Sequence, residues 1–175
     1  IRDVEEYATE QTGRGKGAES LRWFIGYIRS LARPMGKIYM DIGEPVVLEQ
    51  APDPDDRMAL SKIAFEIAVQ ANEVTPITFP SLVTMSLLGA APKALTENEV
   101  VADLRSLLSW AEARNLRISD DFNRAFAEQM EGLLGIMIDE NIVTRYDEGP
   151  EVVYAIGLNQ HPVASYYRNT VIHFF

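Results

Sequence analysis

The sequence predicts the closing part of an α/β domain followed by a mostly helical C-terminal region with a short β-hairpin. Three observations predict it. Residues 19–48 run helix, turn, short apolar strand, the order found at the end of an α/β domain. Ala51-Pro52-Asp53-Pro54-Asp55-Asp56 is a linker rich in Pro and Asp. Beyond it, apolar residues recur at helical spacing and then give way to two β-branched runs around a turn. The expected organisation is residues 1–50 as the end of the α/β domain and 51–175 as a helical domain, with the hairpin near 142–157.

Residues 1–16 are polar and lead into Gly13-Arg14-Gly15-Lys16-Gly17, a loop. From Glu19, Leu21, Phe24, Ile25, Ile28 and Leu31 share one helical face, and Pro34 stops the helix. After Gly36, the segment Lys37–Ile42 has strand composition, and Val46-Val47-Leu48 extends an edge pairing past Gly43-Glu44-Pro45. A helix follows over about Arg57–Asn72, with Leu60, Ile63, Ala64, Ile67, Ala68 and Ala71 expected inside. Ser81–Leu88 reads as a short helix after Pro76 and Pro80, ending at Gly89. Thr96-Glu97-Asn98-Glu99 is a capping box, in which the threonine accepts from the backbone three residues on and the glutamate reaches back. The helix it opens carries Val100, Leu104, Leu107, Leu108 and Ala111 on one stripe. Ser119-Asp120-Asp121 is expected to cap a further helix with Phe122, Ala125, Phe126, Met130, Leu133 and Met137 inward. Ile142–Tyr146 and Val152–Ile156 then flank Asp147-Glu148-Gly149-Pro150 as a hairpin. Helices followed by a hairpin resemble a winged-helix layout.

The chain has 175 residues and no cysteine, so disulfide frameworks, thiolate metal sites and cysteine nucleophiles are excluded. The formal net charge is -10, which opposes broad nucleic-acid binding because phosphate contacts need clustered Lys and Arg. The charge is uneven: residues 1–40 hold seven basic and five acidic side chains, the remainder nine and twenty-one. The most apolar stretch, Ile77–Leu95, is broken by Pro80, Gly89, Pro92 and Lys93, whereas a membrane-spanning helix needs about 20 nearly uniform apolar residues. The opening Ile1-Arg2-Asp3-Val4-Glu5-Glu6 has neither an initiator Met nor the shape of a signal peptide, and the expectation is a piece of a longer polypeptide.

Catalytic constellations are scarce. The glycine cluster at 13–17 lacks P-loop spacing and a preceding strand, so it reads as a turn. His161 and His173 lie too far apart in sequence for a local metal-binding pair and read as structural. Asp55-Asp56 and Asp120-Asp121 sit where helix N-caps belong, which explains them without acid–base chemistry. One basic stripe stands out: Arg22, Arg29 and Arg33 align along the first helix opposite its apolar flank, with Trp23 near the boundary. Such a helix suits an anionic lipid surface or a phosphorylated ligand; the alternative is a solvated face over an α/β core.

Glu6-Tyr7, Thr12-Gly13, Lys16-Gly17-Ala18-Glu19-Ser20, Gly36-Lys37-Ile38-Tyr39 and Gly43-Glu44-Pro45-Val46 together resemble the glycerol-3-phosphate acyltransferase family, most closely its bacterial membrane-associated branch. The closing run Tyr166–Phe175 is similar to the C-terminal region of that family. The resemblance implies an enzyme that moves a fatty acyl group from acyl-CoA to glycerol-3-phosphate, the first step of phospholipid synthesis, with no cofactor beyond acyl-CoA as co-substrate. It further implies a peripheral position on the cytoplasmic face of the membrane. Dihydroxyacetone phosphate is an alternative acceptor, and a noncatalytic lipid-surface or partner-binding module is an alternative of another class. The family's His-x-x-x-x-Asp base motif and its phosphate-holding Glu-Gly-x-Arg-Ser-Arg-type loop do not occur here: the position expected to hold Asp after His161 is Tyr166. The resemblance therefore places both motifs, and the contacts to acyl-CoA and glycerol-3-phosphate, upstream of Ile1, and carries no catalytic residue into this chain.

Overall fold

The computed structural model describes residues 39–53, 55–123, 126–127 and 130–175. The chain divides between Met40 and Asp41, and Asp41–Phe175 form the compact unit described below. That unit is mostly helical, with five α-helices and a small three-stranded antiparallel sheet among the described residues. In chain order they are α1 (Ala59–Val74), α2 (Phe79–Ala90), β1 (Leu95–Thr96), α3 (Glu97–Glu112), α4 (Met130–Asp139), β2 (Val143–Tyr146), β3 (Val153–Ile156) and α5 (His161–Asn169). Single 3-10 turns lie at Asp120–Phe122 and Ile172–Phe174.

The core is built around α2. Its mean character is apolar, and Phe79, Leu82, Val83 and Leu87 are all buried, as a helix surrounded by neighbours requires. Pro80 sits in its first turn, where the missing N–H has no helical partner to lose, so α2 starts two residues before the expected Ser81. Its buried hydroxyls bond locally: Ser81 Oγ donates to the Thr78 carbonyl at 2.7 Å and Thr84 Oγ1 to the Pro80 carbonyl at 2.8 Å. Burying them thus leaves no polar group unpaired. Ser86, also buried, donates to Asp103 Oδ2 at 2.6 Å and joins α2 to α3.

The capping box at α3 forms as the sequence expects. Thr96 Oγ1 accepts from the Glu99 N–H at 3.3 Å, and Glu99 Oε2 accepts from the Thr96 N–H at 2.8 Å. Val100, Leu104, Leu108 and Ala111 are buried, whereas Leu107 on the edge of the stripe is half-buried. Asn115, at φ 54, ends the helix in the left-handed conformation, and the Leu116 N–H reaches back to the Ala111 carbonyl at 3.1 Å.

Past α3 the structure departs from expectation. Ser119-Asp120-Asp121 opens only a 3-10 turn, because Asn123 is extended (ψ 174) and stops helical propagation. The regular helix α4 begins at Met130. Phe126, Met130 and Met137 are buried as expected, Phe122 and Leu133 are half-buried, and Ala125 lies outside the described residues.

The hairpin pairs Tyr146 with Val153 and Val143 with Ile156. A third strand, unforeseen from sequence, adds to its other side: Leu95 pairs Tyr154 and Thr96 pairs Val153, giving the order β1-β3-β2. Helix, short strand, helix, helix, strand, strand with that sheet order is a winged-helix layout. Gly157 allows β3 to leave the sheet, since a Cβ there would collide with the Asn141 carbonyl.

Residues 39–48, the described part of the expected strand pair, form no ladder. They are held by side chains instead. Arg117 makes a two-pronged ion pair with Asp41, at 3.0 Å and 2.7 Å, and Gly43 packs on the Gln70 carbonyl and the Val74 side chain of α1.

Candidate interaction surface

The basic stripe Arg22, Arg29, Arg33 lies outside the described residues. His161 is exposed at the start of α5. His173 is exposed in the terminal 3-10 turn, its ring 4.0 Å from that of Phe174, and partial desolvation holds its pKa below the usual histidine range. Asp55 and Asp56 sit at the approach to α1, where Asp56 accepts from the Met58 N–H at 2.8 Å and pairs with Lys62 at 2.7 Å. The expected capping is not met: Met58 stands at the N-cap of α1 without a side-chain capping bond, and the first turn of the helix holds no acidic side chain. Among the described residues no group of three or more metal-ligating side chains converges, and no helix is long and apolar enough to cross a membrane. An open hollow of about 410 Å³ lies beside the hairpin turn, and its lining includes Asp147, Glu148 and Glu151 with Arg145.

The feature that stands out is α1. Its apolar residues fall where sequence periodicity predicts a buried face, yet no residue of the helix is buried. Leu60, Ala64, Ile67 and Ala71 follow i, i+4, i+7, i+11 spacing, so they stack along one side. All four are exposed, Leu60 to 73% and Ile67 to 53%. Lys62, Glu66 and Glu73 occupy the opposite side. Ile63, Gln70 and Val74, on the flank toward residues 41–48, are half-buried. Ile42, at 92%, Val47 and Leu48 in that neighbouring segment are also exposed. The expected burial of Leu60, Ala64, Ile67, Ala68 and Ala71 is therefore not met within the unit. Among the described residues, the side of α1 that carries Gln70 and Val74 packs on Gly43, and the stripe faces elsewhere.

The surroundings of this face are acidic. Residues 40–74 carry eight acidic and two basic side chains. An amphipathic helix with an uncovered apolar stripe and an acidic neighbourhood is suited to packing against another protein surface, because contiguous exposed apolar area favours burial.

These features define a helical module of winged-helix layout with an uncovered flank. The chain belongs to the family described as the glycerol-3-phosphate acyltransferase C-terminal region, whose model matches residues 7–175. It is 33% identical over 179 residues to the proteins called "Putative acyltransferase plsB1" of Mycobacterium bovis and of two Mycobacterium tuberculosis strains, CDC 1551 and H37Rv. The match takes in 99% of this chain and 29% of each of those proteins.

Proposed function

We propose that these residues are the C-terminal region of an O-acyltransferase that moves a fatty acyl group from acyl-CoA to glycerol-3-phosphate at the membrane surface. The observation that carries this reading is the family match over residues 7–175. The chain spans less than a third of its acyltransferase relatives, and the described residues hold no constellation suited to activating a hydroxyl. In this reading, acyl transfer is performed by a His-x-x-x-x-Asp motif in the remainder of the polypeptide, which would take the proton from the acceptor hydroxyl as its oxygen attacks the thioester carbonyl; the C–O ester bond forms, the C–S bond breaks, and coenzyme A leaves as the thiol with that proton. Dihydroxyacetone phosphate is the alternative acceptor within the same chemistry. The module's own part is structural, a folded partner for the reacting domain. The stripe Arg22, Arg29, Arg33 is proposed to meet anionic headgroups.

The test is an assay of the protein that spans the full length of its relatives, with palmitoyl-CoA and each acceptor in turn. Formation of the acyl-glycerol phosphate by that protein, and none by the 175-residue chain, is the expected result. Turnover by the 175 residues alone, or no transfer to either acceptor by the longer protein, would refute it. Changing Arg22, Arg29 and Arg33 together to Gln is expected to weaken cosedimentation with anionic vesicles, and unchanged sedimentation would remove the membrane role.

A further inference from the structure

We propose that the Leu60–Ala64–Ile67–Ala71 stripe of α1 is the docking face for the preceding part of the same acyltransferase polypeptide. The proposal rests on the functional reading above, in that it takes the chain to be one region of a longer enzyme.

Three observations support that occupant. First, the stripe is what a buried helix face looks like: large Leu60 and Ile67 alternate with Ala64 and Ala71, which let a second helix approach closely, while the charged side chains lie opposite. Phe65, also exposed, falls outside the stripe, whereas the charged side chains Lys62, Glu66 and Glu73 all lie away from it. The unit's other helices place their own stripes inward: Leu104 and Leu134 are fully buried, whereas α1 has no buried residue. Second, more than two-thirds of each relative lies outside the match, and the family is by description a C-terminal region, so the remaining polypeptide precedes it. The stripe belongs to the first helix of the described unit, on the side of the chain from which that polypeptide comes. Third, charge argues against the two other occupants. Helices that lie on anionic bilayers carry Lys and Arg on the polar face, whereas here the polar side holds Lys62 against Glu66 and Glu73. A second copy docked stripe to stripe would bring together two segments that each carry eight acidic and two basic side chains, which repel. A distinct surface of the same polypeptide is bound to neither charge pattern.

Cysteine accessibility in the full-length protein tests this, since the 175 residues contain no native cysteine to confuse the peptide map. Leu60→Cys and Ile67→Cys place thiols on the stripe, and Glu148→Cys places an exposed reference in the hairpin turn. Because Leu60 and Ile67 are exposed in the unit, the substitutions remove no core packing, and circular dichroism verifies that each variant folds. Maleimide labelling, located by peptide mass, is expected to be slowed about tenfold or more at 60 and 67 relative to 148, as a docked state holding nine-tenths of the molecules gives. The slowing should be independent of protein concentration and of added vesicles. Labelling at 60 and 67 as fast as at 148 overturns the proposal. Protection that grows with protein concentration, or that needs vesicles, also overturns it and assigns the face to a second copy or to lipid. Acyl transfer measured on the same samples separates the two ideas: transfer with unprotected thiols removes only the docking, and protection without transfer removes only the activity.

Discussion

Replacing Leu82 or Ile67 by alanine in the 175-residue chain contrasts two apolar side chains of similar size in neighbouring helices. Leu82 is fully buried in α2, the helix that touches α3, β3 and α5. Its truncation removes buried methyl groups and leaves a cavity, a change that costs about 3 kcal/mol and up to about 5 where the site cannot collapse. For a folded body of the size of Asp41–Phe175, a loss of about 3 kcal/mol corresponds to a fall in Tm of roughly 10 °C. Ile67 is half exposed in α1, so most of its surface never leaves water on folding. Alanine is moreover the better helix former by about half a kcal/mol, which offsets the small packing loss. The expected shift for Ile67→Ala is therefore within about 2 °C of zero. Differential scanning calorimetry of the two variants reads this directly. Equal shifts, or a larger one at Ile67, would refute the placement of the core around α2 and the exposure of α1. In a protein spanning the full length of its relatives, the same Ile67→Ala change should become clearly destabilising if the stripe is docked as proposed.

Three other changes test the local chemistry. Thr96→Ala removes the oxygen that accepts from the Glu99 N–H and should cost about 1 kcal/mol in a urea titration, without altering the slope. The Lys93 ammonium at 2.6 Å and the Thr96 N–H hold the Glu99 carboxyl down at about 2, from an ordinary 4.5. A depressed carboxylate contributes stability that is complete above the unfolded pKa and is lost as pH falls from about 4.5 toward 2, so Lys93→Met should move the Glu99 carbon resonance midpoint upward in an NMR titration. Gly157→Ala drives a methyl group into the Asn141 carbonyl and should destabilise by about 1–3 kcal/mol, seen as a lowered urea midpoint.

Which elements could be read from sequence follows from how far each signal reaches along the chain. The α3 capping box involves residues three apart, and its apolar stripe repeats within one helix, so both were legible and both formed. The hairpin register is set by its own turn, and Tyr146 meets Val153 accordingly. Strand β1 was not legible because it is two residues long and its partners, Val153 and Tyr154, lie far down the chain. Ser119-Asp120-Asp121 has the composition of a helix start, but Ser119 makes no side-chain capping bond, and composition does not state how long a helix continues. The extended Asn123 settled that locally. In α1 the period was right and the inference from it was not: periodicity shows that a face is apolar, not which surface covers it. The candidate stripe at Arg22, Arg29 and Arg33 was legible as a pattern, and its placement lies outside the described residues.

A winged-helix layout invites comparison with nucleic-acid readers, in which a helix and the wing approach phosphate. The elements in those positions here argue for another use. Helix α4 carries Glu131 and Asp139 and no basic side chain, and the turn between β2 and β3 carries Asp147, Glu148 and Glu151 beside a single arginine, Arg145. Neutralising phosphate is the main source of nonspecific affinity, and this surface would repel it. Fold alone does not fix function, and the charge pattern decides between uses of the same layout. What the acidic helix-and-wing surface cannot supply in binding energy, the uncharged stripe of α1 can. It presents Leu60 and Ile67 uncovered, on a helix whose Gln70 carbonyl meets Gly43, two residues along from the Asp41–Arg117 pair. An exposed apolar face of that kind is what the module offers for burial against another surface, in keeping with the docking proposed above.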